Sequence, residues 1–150
     1  MVMGTNWDST ICQRAARNIL EAVEATHRNF KPFFVAISTT GITSGPRDVP
    51  IALVPLYHVA LRTPHVDKRV LEKLIQDAAR DGKISGFTLP RPTLLSNGKE
   101  ISTKKIRVGS LEKPELGYTI SRDNVGRWIF EELVQGDATR WNGQFPSLTS

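Results

Sequence analysis

The sequence predicts an α/β fold, a mainly parallel sheet with helices on its faces, and three observations carry that prediction. Two segments with helical apolar spacing, near residues 8–26 and 66–80, are each followed by a short apolar run, at 33–37 and 86–89. These runs are unbroken and brief, as in strands covered on both sides. The stretches after them are rich in Ser, Thr, Gly and Pro, so loops leave the carboxyl ends of the strands, where open α/β sheets bind ligands.

The elements follow in order. Asp8 or Ser9 caps a first helix whose inner face is set by Ile11, Ala15, Ile19 and Val23, with Ala16, Leu20 and Ala22 beside them, up to about Thr26. Lys31-Pro32 breaks that pattern and residues 33–37 form a buried strand. Residues 38–50 form a loop with Gly41, Gly45, Pro46 and Pro50 as breakers. A short apolar helix is expected over 51–61 and a longer one over 66–80, with Val70, Leu71, Leu74, Ile75 and Ala78 inward. Gly82 is placed to stop the longer helix in a left-handed conformation. The second strand, 86–89, runs into Pro90-Arg91-Pro92, which holds the chain extended and offers few donors to a neighbour. Beyond it, Ser96-Asn97-Gly98-Lys99 is a turn, 106–108 and 118–120 are short strands, and 123–134 is a helix capped by Ser121 or Asp123. Its inner face would be Val125, Ile129, Phe130 and Leu133. Residues 1–135 are read as one domain, and 136–150 as a tail or an edge strand.

Composition narrows the function. A chain of 150 residues, 39% hydrophobic and 23% charged, fits one globular domain. Apolar runs are all broken within about eight residues, short of the ~18 that a membrane-spanning helix requires, so no membrane is expected. The start has neither the basic front and apolar core of a secretory signal nor the make-up of an organelle presequence, which makes the cytoplasm the expected location. The net charge of +5 raises the question of nucleic acid, but the cations are scattered. Their one local cluster, Lys99, Lys104, Lys105 and Arg107, is offset by Glu100 and lacks interleaved aromatic residues, so no nucleic-acid partner is expected. The single cysteine, Cys12, forms no internal disulfide, and His27, His58 and His65 lack metal-ligand spacing, so no metal is expected. Gly41-Ile42-Thr43-Ser44-Gly45 mimics a nucleophile elbow, but Thr43 sits deep in a loop before proline and not between strand and helix.

Four pieces occur in a telling order: Phe33-Phe34-Val35-Ala36-Ile37-Ser38-Thr39-Thr40-Gly41, Lys68-Arg69-Val70-Leu71-Glu72, Gly86-Phe87-Thr88-Leu89-Pro90-Arg91-Pro92, and Ile120-Ser121-Arg122-Asp123-Asn124-Val125. In that order they resemble the distal part, from the fifth strand onward, of an NAD(P)-binding Rossmann domain of the atypical short-chain dehydrogenase/reductase, NmrA-like and flavin-reductase-like kind. The resemblance covers roughly residues 8–134 and implies a partial Rossmann-like, doubly wound sheet. It implies that Ser38-Thr39-Thr40 is the serine/threonine cluster beside the nicotinamide, with Thr40 in the position of the catalytic hydroxyl. It implies that Lys68 faces the cofactor, with Glu72 four residues on. From the residues alone, Lys68 and Glu72 are a surface ion pair on one helix face. It also implies that Arg91 and Pro92 end the sixth strand against the nicotinamide, so that Ser38, Thr39, Lys68, Arg91 and Pro92 would line that side of a bound NADP or NAD.

Two parts of the family pattern are missing. The acid tyrosine stands four residues before the lysine in the family, and Pro64, which has no proton to give, occupies that position. Tyr57, eleven residues before Lys68, does not substitute by spacing, although it can line the same pocket. The glycine-rich turn whose amides hold the pyrophosphate is found nowhere among the eleven glycines. The expectation is therefore a chain without the proximal half of its family, derived from an NAD(P)H-dependent oxidoreductase, inactive alone and binding no cofactor by itself. Without neighbouring strands, 33–37 would leave an apolar edge, so self-association or pairing with a separate amino-terminal half is expected. The other reading is a regulatory or protein-interaction module that binds a partner through that edge.

Overall fold

The computed structural model describes residues 8–26, 30–97 and 106–150. His27, Lys99, Glu100, Lys104 and Lys105, and with them most of the basic cluster and the end of the expected 96–99 turn, lie outside the described residues.

Helix α1 (Ile11–Thr26) leads to β1 (Phe33–Val35), and a 3-10 turn (Ile51–Leu53) leads through α2 (Val54–Val59) to the long α3 (Arg62–Arg80). Strands β2 (Gly86–Thr88), β3 (Arg91–Pro92), β4 (Leu94–Ser96), β5 (Arg107–Gly109) and β6 (Thr119–Ser121) follow. Helix α4 (Arg122–Ile129) then widens into a π-helical turn (Phe130–Gln135), and a short 3-10 turn (Ala138–Trp141) precedes β7 (Ser147–Thr149).

Strand β1 pairs in parallel with β2, Phe33 opposite Gly86 and Val35 opposite Thr88. The ladder continues beyond both strands, since the N–H groups of Ala36, Ser38 and Thr40 donate to the carbonyls of Thr88, Pro90 and Pro92 at 3.3, 2.8 and 3.2 Å. On the opposite side, the N–H groups of Leu89, Arg91 and Thr93 donate to Gln144, Pro146 and Leu148 at 3.0, 2.8 and 3.0 Å. Segment 86–93 is therefore the middle of a parallel layer flanked by 33–40 and 144–148. Pro90 and Pro92 fit there because their missing N–H groups fall on the β1 side, where only their carbonyls are used. This is the α/β class and the mainly parallel sheet that the sequence predicts. Strand β7, however, is no edge: it lies between β3, parallel, and β5, antiparallel, and is buried throughout. A second parallel pair, β4 with β6, stands beside it.

Helices α1 and α3 cover one face. Leu71, Ile75 and Ala78 from α3 meet Ala16 and Leu20 from α1 over Ile84, Phe87 and Leu89. The long helix starts four residues before its expected position because Pro64 falls in its first turn, where no helical N–H partner is required. Gly82 ends it as expected, with φ +69° and the N–H of Lys83 donating to Ala78 at 2.8 Å. The inner face of α1 differs from the expectation. Ala16 and Leu20 are buried, whereas Ile11 and Ile19 are 59% and 49% exposed. A second core holds Ile120, Val125, Trp128 and Leu148, with Trp141 edge-on to Trp128 at 5.0 Å. Ser121 caps α4 as expected, accepting the Asn124 N–H at 3.1 Å.

One long-range contact ties the two helices together. The Asp67 carboxylate accepts the N–H groups of Cys12 and Gln13 at 2.8 and 3.0 Å, capping the amino end of α1 from α3. Burial works to raise this carboxyl, but the Cys12 and Gln13 N–H groups outweigh it and hold it below its ordinary value. Since the folded-state pKa is depressed, the stabilisation is present above the ordinary carboxylate value, about 3.9, and is lost as pH falls from there through the folded pKa. Asp67→Ala should cost about 1–2 kcal/mol in urea unfolding at neutral pH. The loss should shrink when the measurement is repeated at successively lower pH below the ordinary carboxylate value.

Candidate functional site

The site lies where the β1 segment runs out. Thr40 is fully buried there, and its Oγ1 lies 3.3 Å from the Tyr57 hydroxyl and 3.5 Å from the Pro92 carbonyl. Helix α2 places Tyr57, 17 residues downstream, over the end of the strand, with the His65 ring of α3 tilted against it at 5.4 Å. Gly41 makes this approach possible. Its φ is +81°, and a Cβ there would stand 2.2 Å from Tyr57 Cδ1. The Gly41 N–H donates to both carboxylate oxygens of Asp48, at 3.1 and 3.0 Å, closing the following loop back onto the strand.

The titrating groups are set by burial. Tyr57 is pushed up by burial and by the Asp48 charge, which together outweigh the Thr40 hydrogen bond, so it remains a neutral phenol with a proton to donate. Burial likewise raises Asp48 despite the Gly41 N–H and the Arg91 charge.

The expected site residues divide into buried and accessible groups. Ser38 is buried, its Oγ without a hydrogen-bond partner among the described residues, and Thr39 is half-buried. Arg91 does not face a ligand: its Nε and Nη2 donate to the two Glu72 oxygens at 2.9 and 2.7 Å, and Phe145 lies under its guanidinium at 4.7 Å. Pro92 is fully buried. Lys68 donates its Nζ to the Ile37 carbonyl at 2.7 Å, on the edge of the β1 segment away from β2. The Lys68–Glu72 ion pair expected from spacing therefore does not form: both Glu72 oxygens are taken by Arg91, and Lys68 reaches the Ile37 carbonyl instead. Spacing also set Tyr57 aside as a substitute acid. The structure makes it the hydroxyl partner of Thr40, a contact for which the sequence carried no local signal.

A cleft of about 500 Å³ opens beside the pair, between the 41–49 loop, α2 and the start of α3, with Tyr57 and His65 on its wall. A whole dinucleotide does not fit these residues. Of the three glycines with positive φ among the described residues, Gly41, Gly82 and Gly143, none is directly followed by a helix whose amides could take a pyrophosphate. Three of the five expected nicotinamide-side groups, Ser38, Arg91 and Pro92, are buried, as is Thr40, the expected catalytic hydroxyl.

The parallel layer with helices on its face is Rossmann-like, and solved structures agree in fold. A short-chain dehydrogenase/reductase from Veillonella parvula superposes with a TM-score of 0.71 at 18% identity, covering 92% of this chain and 58% of its own. A second from the same organism, in complex with NADP, gives 0.69 at 17% identity, covering 98% and 70%. The chain has the Rossmann-like α/β fold of these short-chain dehydrogenase/reductase structures. Among curated proteins it is 46% identical to Reductase pytE of Aspergillus terreus and 32% identical to Oxidase pynE of Aspergillus niger, each over 93% of this chain. It spans 57% and 56% of their lengths. No protein-family model matches it. Among the described residues no helix is long and apolar enough to cross a membrane.

Proposed function

We propose that the chain supplies the substrate-facing side of an NAD(P)H-dependent oxidoreductase of the atypical, NmrA-like kind, and that alone it turns over no dinucleotide. The Thr40–Tyr57 hydroxyl pair beside the cleft carries this reading. The Tyr57 O–H, kept protonated, donates a hydrogen bond to a substrate carbonyl oxygen from the cleft wall. Thr40 is too buried to meet substrate and fixes the phenol's direction from behind, as a positioning residue. The names of the two fungal relatives, a reductase and an oxidase, support a redox role. Inactivity alone follows from the missing phosphate cradle and from Lys68, whose ammonium is held by a sheet carbonyl. NADPH oxidation by the purified chain, with a quinone or a flavin as acceptor, should not exceed the protein-free blank. Saturable turnover with either would overturn the proposal.

One observation favours a second reading, association with a second copy. The outer edge of β1 is unpaired among the described residues, and Val35 and Ile37 there, like Ile11 and Ile19 on α1, are exposed. An edge of this kind pairs readily with its own duplicate about a two-fold axis. Light scattering should then give a dimer at micromolar concentration, and a monomer at all concentrations would remove this reading.

A further inference from the structure

The cleft has a charge pattern that hydroxyl chemistry does not explain. Arg62, His65 and Arg69 are spaced three and four residues apart along α3, which puts them on one face, and Arg47 comes from the loop opposite; all four line the cleft. Among the described residues, Arg47 and Arg62 form no ion pair, and Arg69 gives its Nε to the Ile42 carbonyl at 3.0 Å. The one carboxylate on the wall, Asp48, is buried and occupied by the Gly41 N–H. Arg62 also stands at the first position of α3, which has no side-chain cap and no acidic residue in its first turn. A cation there opposes the helix macrodipole, and three guanidinium groups around one concavity repel one another. Such an arrangement is unfavourable in the empty protein and becomes favourable when an anion enters.

We infer that this cleft binds the anionic group of a ligand, a carboxylate or a phosphate, between Arg47, Arg62 and Arg69, leaving the Tyr57 hydroxyl to meet the adjoining carbonyl. The guanidinium fork suits either oxyanion, with paired N–H donors matching paired oxygens. The favoured source is the substrate, a small carbonyl compound bearing a carboxylate. The alternative source is a phosphate of a dinucleotide. This deepens the substrate-side reading by naming a substrate class and rests on it for the role of Tyr57, but anion binding is measured without turnover, so the two can fail separately.

The test is calorimetric titration of the full chain at low salt with 2-oxoglutarate, with inorganic pyrophosphate, and with acetone as a neutral carbonyl control. The double variant Arg47→Gln/Arg62→Gln is titrated in parallel; both side chains are exposed and outside the core, and circular dichroism verifies its fold. Saturable 2-oxoglutarate binding, weakened tenfold or more in the variant and by added salt, is expected, with acetone giving none. Stronger binding of pyrophosphate with the same losses would keep the anion site and assign it to a phosphate. Absence of binding by both anions, or binding unchanged in the folded variant, would overturn the inference.

Discussion

Glu72→Ala is expected to destabilise the protein by about 3–5 kcal/mol, a large share of the roughly 5–15 kcal/mol that keeps a domain folded. Glu72 and Arg91 are both buried and meet through two parallel bonds of 2.9 and 2.7 Å, linking α3 to the middle of the sheet. Removing the carboxylate leaves a buried guanidinium beside Phe145 without its counter-charge. Most of the cost lies in that uncompensated charge and not in the attraction lost. A double replacement, Glu72→Leu with Arg91→Met, should therefore recover most of the stability. Urea unfolding of both variants provides the measurement. A loss under 1 kcal/mol in Glu72→Ala would mean that water reaches Arg91.

Gly41→Ala should act on the site itself. The backbone at φ +81° costs an L-residue about 1–2 kcal/mol, and the new Cβ would stand 2.2 and 2.8 Å from two ring atoms of Tyr57. The ring has to move away from Thr40, breaking the 3.3 Å contact between the hydroxyls. Near-UV circular dichroism should lose the tyrosine contribution, and urea unfolding should show a loss beyond the backbone cost alone. An unchanged near-UV spectrum would mean that the Thr40–Tyr57 pair is not held in solution.

What could be read from the sequence was local. The 33–37 and 86–89 strands and the helices around them follow from apolar spacing, and Gly82 and Ser121 act as the stop and cap that their types predict. Sidedness was harder to read. Helix α1 has apolar residues around much of its girth, and which arc is buried depends on α3 and on Asp67, 55 residues from the Cys12 N–H it binds. The same limit hid the site. The family resemblance points to Thr40, but its partner Tyr57 comes from another helix, and the arginine beside Pro92 is taken by Glu72 across 19 residues. No spacing rule within one element reaches such contacts. The placement of β7 inside the sheet had no signature either, because a short polar-flanked segment reads alike at an edge and in the middle.

If the chain carries only the substrate side of an oxidoreductase site, it has no means to hold a dinucleotide. Calorimetric titration of the folded chain with NADPH, then NADH, should then give no saturable heat with either. Saturable binding in the micromolar range, about −8 kcal/mol, would contradict this reading and would mean that the ends of the strands at Thr39 and Pro92 open to admit a nicotinamide.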